Sequence, residues 1–539
     1  MAAVAAVLMG SVAAGVGVAA LPARAAAGGD RAGAGVSAAA GQPSVTVRAI
    51  DREGKAVPVA ASLDPAVGYG SDRTLTSAHA TKVAAGSYNV AAWVWEPGGK
   101  AVTLVDRGVT ITGSTTVTFD ARPGRQLRFT VNDATVAVHG LYAEPFSATS
   151  DEPAIWRNSF GPVNGPAVYL VPGPLPTGWD VILQANLVRP ERDNAASPVE
   201  YELVKTLSGS IPADLTFAST RAGLAQDHVT IRDFGQGGDG EVFSPFRYSG
   251  NPSDSNLWGA EVGQNNVRTP ASVDVYFSPG YRWESVGFAA SDDEYGTQTL
   301  RAGRTYAQTF NAAVFSPSPL LGPSVYGSSL FLNQTFGNDL LVDAAGQGAG
   351  SESVGLGETW FRPQGWLYRG NTLIDHVSGY SATFSAKIPA TTQTYTMKFE
   401  ETRTYPGNVP MTGLADAVTA TYTFRAAAGQ NTLVASDFWP RMVPQGVSEK
   451  NTAAGGSRTT VPITFDTATG AIPAHDVAVW ASVNGGRTWS ALKVAHSGST
   501  WTVSVANPKK AGYVSLRVQG EDAAGFKAVV TAYHAYAVS

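Results

Sequence analysis

The chain has 539 residues, enough for three or four domains. Charged residues make up 15% of it and the net charge is −5, with no basic stripe interleaved with aromatics, so nucleic acid is excluded as a partner class. There is no cysteine, which excludes disulfides, thiolate metal sites, cysteine nucleophiles and a lipobox anchor. Hydrophobic residues at 44% are sufficient for packed cores, and 59 Gly with 32 Pro suit many short strands joined by tight turns.

Residues 1–27 read as a signal peptide. Val4 to Leu21 is an apolar, small-residue stretch, and Ala23-Arg24-Ala25 offers a cleavage site. No Lys or Arg precedes Arg24, which leaves two alternatives open: a start upstream of Met1, or a membrane anchor, for which Gly- and Ala-rich sequence is weakly hydrophobic. No other stretch approaches the roughly 20 apolar residues of a spanning helix, so secretion into the medium is expected, without membrane contact after cleavage. Residues 28–42 are a Gly/Ala linker with little reason to fold.

Residues 43–122 form the first expected domain. Ser44-Val-Thr-Val-Arg-Ala-Ile50 alternates with period two, and Asp51-Arg-Glu-Gly54 is a turn. Strands follow at Ala85 to Trp95, Val102 to Ile111 and Thr115 to Phe119. The segment Ala85-Gly-Ser-Tyr-Asn-Val90 is similar to the "PAGxYxV" strand of carboxypeptidase-regulatory-like, transthyretin-like sandwiches. That resemblance implies a sandwich of about this length, with Tyr88 and Val90 in its core.

Residues 123–311 are a second strand-rich region, with runs at Arg128 to Asn132, Ala167 to Val171 and Val181 to Ala185. A short helix is expected from Ser219 to Asp227, capped by Ser219 or Thr220. Residues 312–430 continue in the same style, and residues 431–539 form the last domain. A string of motifs runs through these regions: Tyr201-Glu-Leu-Val204 with Ser208-Gly-Ser-Ile-Pro212, Thr220-Arg-Ala-Gly-Leu-Ala225, and Arg301-Ala-Gly-Arg-Thr-Tyr306 with Asn311-Ala-Ala-Val-Phe315. Leu367-Tyr-Arg-Gly-Asn371, Gln393 to Glu400, Thr419 to Phe424, Trp480 to Trp489 and Ala511 to Arg517 extend it. In this order they resemble the non-catalytic C-terminal region of large secreted subtilisin-like serine peptidases of high-GC Gram-positive bacteria, over about two-thirds of the chain. The resemblance implies an all-β protein of serial β-sandwich domains, Ig-like at the C-terminus, with short helices in loops. It also implies a targeting or stabilising role.

The chemistry of those peptidases is missing. A Ser-His-Asp triad would sit in D-[ST]-G, H-G-T-H and G-T-S-M-A motifs. The nearest fragments are Asp466-Thr-Ala468, His139-Gly-Leu141 and Gly327-Ser-Ser329, and each departs from its motif. The seven His have no zinc-binding spacing, and G-x-S-x-G is absent. No enzyme activity is therefore expected. An accessory or degenerate peptidase fragment working with a separate catalytic chain, and a hydrolase with an unrecognised site, are the alternatives.

The candidate sites are few. Trp93 and Trp95 are two residues apart on one strand and share a face; with Tyr88, Val90, Ala92 and Val94 turned inward, the two indoles would form an outward platform for sugar rings or aromatic polymers, unless a neighbouring domain covers them. Asp292, Asp293 and Glu294 group three carboxylates in an expected loop that could take Ca²⁺, although a solvated acidic turn is the simpler reading; no other cofactor is expected. Asp239-Gly-Glu241 is a second acidic loop. Ser482-Val-Asn-Gly-Gly-Arg-Thr-Trp489 is similar to an Asp-box hairpin, whose polar residues bond the loop while the Trp packs beneath. Glu400 and Glu401 fall on opposite strand faces, and His228 reads as a packed or capping histidine, with no partner to make it a base. The expected partner is an extracellular polymer or another protein.

Overall fold

Two-residue alternation and tight turns make nearly every element a strand. The computed structural model describes residues 42–65, 73–147, 159–160, 165–189, 197–233, 238–243, 246–247, 265–289, 292–317, 334–336, 339–343, 347–348, 354–355, 361–378, 383–405, 409–410, 413–414, 416–428, 438–467, 470–471 and 473–539. Among them the fold is all-β, a series of β-sandwiches, with one 3₁₀ turn at Arg221–Gly223 and no helix long and apolar enough to cross a membrane. The signal-peptide reading lies outside the described residues.

The first sheet is built on Ser44–Ile50, which pairs antiparallel with Ala56–Val57 and Thr81–Lys82 and parallel with Thr115–Asp120. The second sheet runs Arg73–Thr76, Ala60–Pro65, Gly86–Trp95, Ala101–Ile111, Ala167–Leu170, Arg125–Gln126 in space. Val45, Val47 and Phe119 from the first meet Val90, Ala92 and Val94 from the second in one core. The inward face expected for residues 90, 92 and 94 is the observed one.

The other face of the second sheet is also internal. Ala91, Val102, Leu104 and Val168 pack in a second core with Val181, Leu183, Tyr201 and Leu203 of the third sheet. That sheet runs Ser159–Phe160, Ala137–Ser147, Trp179–Val188, Val199–Ser208, Ala271–Phe277, Ala225–Ile231, Thr305–Phe310. Its opposite face, with Ile182, Val204, Val229 and Val275, enters a third core that continues to Tyr422, Phe465, Leu516 and Val530. Consecutive sandwiches thus share a sheet. Strands covered on both faces are buried along their length: Ala101–Ile111 begins with six buried residues and Trp179–Val188 is buried almost throughout. Each fully buried Val or Leu contributes about 1.5–3 kcal/mol, so the low charge content follows from this doubled burial.

A ten-stranded sheet closes the C-terminal part. Ala417–Ala426 pairs with Lys527–Val538 from Ala417 opposite Tyr533 to Thr423 opposite Lys527. A five-stranded sheet with Arg458–Thr467 and Thr500–Ala506 covers it. Close approach fixes a glycine here: a Cβ on Gly520 would lie 2.3 Å from Cζ of the buried Phe465 on the facing sheet. Sheets therefore run across the expected divisions of the chain. Ala167–Leu170 joins the sheet of residues 43–122, Val354–Gly355 joins Asp292–Thr299, and the ten-stranded sheet spans position 430.

The helix expected from Ser219 to Asp227 is not formed. Ser219 ends strand Thr216–Ser219, only Arg221–Gly223 turns as 3₁₀, and Ala225–Ile231 is a strand; Thr220 sits at the N-cap without a side-chain capping bond. The alternation of buried Ala225, Asp227, Val229 and Ile231 overrides the local helical signal, because this strand lies between Ala271–Phe277 and Thr305–Phe310.

Two nodes tie distant segments together. The Arg221 guanidinium donates to the Tyr201 hydroxyl at 2.6 Å and to Asp133 at 2.7 Å, and the Tyr201 hydroxyl donates to Asp133 at 2.9 Å. Burial pushes the Tyr201 hydroxyl up to about 12, so it remains a donor. The Y-E-L-V and T-R-A-G-L-A motifs thus meet in space. At the second node, Asn451 Nδ2 donates to the carbonyls of Asn311 (2.8 Å) and Asp233 (3.2 Å), while Asn451 Oδ1 accepts from the Ala313 amide at 2.8 Å. Asn451 is fully buried at φ +51°, a left-handed conformation that Asn tolerates well.

Candidate functional site

The strand Gly86–Trp95 carries the first candidate. Alternation sends Asn89, Ala91, Trp93 and Trp95 to the face opposite Val90, Ala92 and Val94. Because the third sheet covers that face, Trp93 is half-buried against the second core, and Trp95, one pair further along, is 43% exposed. The expected platform of two outward indoles is thereby corrected to one exposed indole continuous with one largely covered; the covering sheet comes from residues beyond the first domain. Both indoles contact neighbouring groups. Beside them, Glu96 pairs with Arg52, whose guanidinium stacks 3.5 Å from the Tyr169 ring centroid. These Arg52 contacts brace the hairpin end.

Deeper on the same face lie Asp64 and Asn89, opposite one another in register, and Asp106, opposite Ala91. All three are buried. Burial pushes the Asp106 carboxyl up to about 7; the Asn89 side chain and the Arg107 amide offset only part of this.

Asp292, Asp293 and Glu294 do not form a loop. They open strand Asp292–Thr299, paired with Arg282–Ala289, and backbone alternation sets residue 293 on the face opposite 292 and 294. Asp239 and Glu241 likewise fall in a strand, Gly238–Phe243. A metal-compatible group that sequence spacing did not reveal is His475, Asp476 and Glu521, whose ligand atoms lie within 4.8 Å of one another, the first two exposed and Glu521 half-buried.

His228 has a partner, contrary to expectation: its Nδ1 lies 2.9 Å from Asp274 Oδ1 across the ladder, where both are exposed. The Asp-box reading matches the structure. The Ser482 hydroxyl donates to Asn484 Oδ1 and accepts from the Gly486 amide, Asn484 Oδ1 accepts from the Thr488 amide, and Trp489 packs edge-on to Tyr533 and under Arg517. Glu400 is exposed and Glu401 buried, on opposite faces. Of the peptidase-motif fragments, His139 lies at a bulge in the third sheet and Asp466 in the five-stranded sheet, while Gly327 to Ser329 lie outside the described residues.

One oriented histidine emerges only from the fold. His534, at φ +47° in an irregular stretch of the ladder, donates from Nδ1 towards Asp416 (2.9 Å) and the Gly413 carbonyl (3.0 Å). The Asp416 carboxylate raises its pKa against the opposing effect of burial. A His held by a carboxylate is the base-and-orienter half of a triad, but among the described residues no hydroxyl bonds its Nε2. A raised folded pKa contributes stability that is complete at low pH and fades as pH climbs through it. Asp416→Asn is therefore expected to cost up to about 1 kcal/mol at pH 5.5 and close to nothing at pH 9, read from denaturant midpoints. An equal loss at both pH values would contradict an ionic role.

No family model matches the chain, and no curated protein matches it. Among solved structures, Salmonella alpha-2-macroglobulin reacted with methylamine aligns over 92% of this chain and 40% of its own, at 9% identity and TM-score 0.19. Escherichia coli alpha-2-macroglobulin activated by porcine elastase aligns over 92% and 52%, at 11% identity and TM-score 0.14. A three-domain titin fragment aligns over 57% and 95%, at 9% identity and TM-score 0.12. The chain thus spans less than two-thirds of the length of the macroglobulins it aligns with.

Proposed function

We propose that this chain is an exported, non-catalytic binding protein that attaches to an extracellular or cell-surface polymer through Trp95. The observation that carries the reading is the exposure of that indole at a braced hairpin end. Among the described residues only Trp95, Leu373, Val483 and Tyr513 are large and exposed apolar groups, and Trp95 offers the largest flat face. An exposed indole supports stacking on a sugar or aromatic ring.

The test mixes the mature chain, residues 28–539, with insoluble peptidoglycan, chitin, cellulose or collagen and measures the pelleted fraction. Selective pelleting with one polymer is expected, weakened about tenfold by Trp95→Ala without loss of folding. Trp93→Ala is the poorer probe, because it also removes packing from the second core. Pelleting that is unchanged by Trp95→Ala would remove the site. Failure to pellet with any polymer would turn the reading towards a protein partner, with a separate catalytic subtilisin-like chain the first to try by co-purification.

A further inference from the structure

The hairpin that follows strand His475–Ser482 gathers several groups around one side-chain amide. Asn484 and Gly485 are exposed, and Gly485 (φ +68°) and Gly486 (φ +81°) take left-handed conformations that glycine adopts without strain. The Asn484 carboxamide is held at both ends. Its Oδ1 accepts from the Ser482 hydroxyl at 2.9 Å and from the Thr488 amide at 3.0 Å, and its Nδ2 donates to the Thr488 hydroxyl at 2.8 Å. Two donors on a carbonyl oxygen make its carbon more electrophilic and stabilise negative charge that develops on the oxygen. The Gly485 amide, next in the chain, donates to no backbone carbonyl among the described residues.

A base stands beside this turn. His534 Nε2 lies 3.7 Å from the point that a Cβ on Gly485 would occupy. His534 Nδ1 is engaged by Asp416 at 2.9 Å and by the Gly413 carbonyl at 3.0 Å, so in the neutral ring the proton sits on Nδ1 and Nε2 keeps its lone pair. The Tyr513 ring packs on the imidazole, centroid to centroid 4.6 Å. The hairpin is held from below: a Cβ on Gly486 would come within 2.6 Å of Tyr533 Cε1, and Trp489 packs edge-on to the same ring. Asp416, His534, the Gly485 amide and the Asn484 carboxamide thus supply an orienter, a base, a nucleophile and an electrophile.

We propose that Asn484–Gly485 is a self-modifying site, at which Asn484 converts to an aspartyl residue through a cyclic imide. His534 Nε2 takes the Gly485 amide proton, and the amide nitrogen forms a bond to Asn484 Cγ while Ser482 and Thr488 hold the charge on Oδ1. The Cγ–Nδ2 bond then breaks. The leaving nitrogen takes a proton from the Thr488 hydroxyl, which water restores, and departs as ammonia; His534 gives its proton back to water. Water opens the imide at either carbonyl, giving aspartate or isoaspartate. Aspartate fits this hairpin, because its carboxylate keeps the bonds from Ser482 and Thr488. Isoaspartate adds a carbon to the backbone and draws Gly486 off Tyr533. This chemistry is independent of Trp95 and of polymer binding.

The test incubates the mature chain at pH 8 and follows residue 484 by peptide mass spectrometry, comparing the folded chain with the same chain unfolded in urea. Conversion in the folded chain is expected to be about tenfold faster than in the unfolded one. Ser482→Ala removes one donor from Oδ1, and His534→Asn removes the base with a residue that tolerates the left-handed backbone. Each is expected to slow the folded chain by about tenfold and to leave the unfolded rate unchanged. The proposal is overturned if residue 484 converts no faster folded than unfolded, because its hydrogen bonds then lock the carboxamide away from the Gly485 amide. It is also overturned if both variants convert at the parent's rate. The comparison of folded and unfolded parent needs no substitution, so it decides the matter even where a variant fails to fold.

Discussion

Replacing Asp106 with Asn is expected to stabilise the chain by about 4 kcal/mol at pH 8 and to change nothing at pH 3.5. The carboxyl lies on the face of the second sheet that meets the third sheet, beside Asn89, and burial pushes it from 3.8 to about 7. In the unfolded chain the same group ionises near pH 4. Between the two values the unfolded state releases a proton that the folded state retains, so stability falls by about 1.4 kcal/mol per pH unit and levels off above 7. Asn has the same shape and no charge to desolvate, and it removes that loss. Denaturant midpoints of both proteins from pH 3.5 to 8 give the comparison. A gain that is independent of pH, or absent at pH 8, would show that the Asp106 carboxyl is solvated or paired.

Asn451→Ala is expected to cost about 3–5 kcal/mol. It strands the Ala313 amide and the carbonyls of Asn311 and Asp233 in a buried node, at roughly 1–3 kcal/mol for each unsatisfied group, and forces Ala into a left-handed conformation. Asn451→Gly relieves the conformational part alone, so it should be less damaging by about 1 kcal/mol. Asn451→Asp keeps the acceptor for Ala313 but cannot donate to the two carbonyls. Equal melting temperatures for Ala and Gly variants would mean that the left-handed turn is not part of the node's energy. A small loss in all three would mean that water replaces the side chain.

Much of the strand pattern was legible from two-residue alternation. Alternation turns Val90, Ala92 and Val94 inward, where they lie in the first core, and the hairpin from Ser482 to Trp489 folds as its Asn-Gly-Gly chemistry dictates. The opposite face was not legible, because alternation says which residues share a face and not what lies across it. Alternation alone leaves Trp93 to solvent, yet it is half-covered by strands nearly a hundred residues later in the chain. The expected acidic loop at residue 292 failed for a related reason: carboxylates disfavour strands locally, but pairing with Arg282–Ala289 decides the matter. Arg221 with Tyr201, Asp416 with His534, and Glu202 with Asn186 are pairs assembled across strands, and no single-chain spacing encodes them.

Because neighbouring sandwiches share sheets, residues 43–539 are expected to unfold as one unit. Calorimetric unfolding of the chain from residue 43 tests it most directly. If the second and third sheets each serve two cores, the chain melts in one transition whose calorimetric and van't Hoff enthalpies agree, and a fragment of residues 43–122 alone does not fold. Two or more resolved transitions, with that fragment reproducing one of them, would mean that the sandwiches are independent domains strung along the chain.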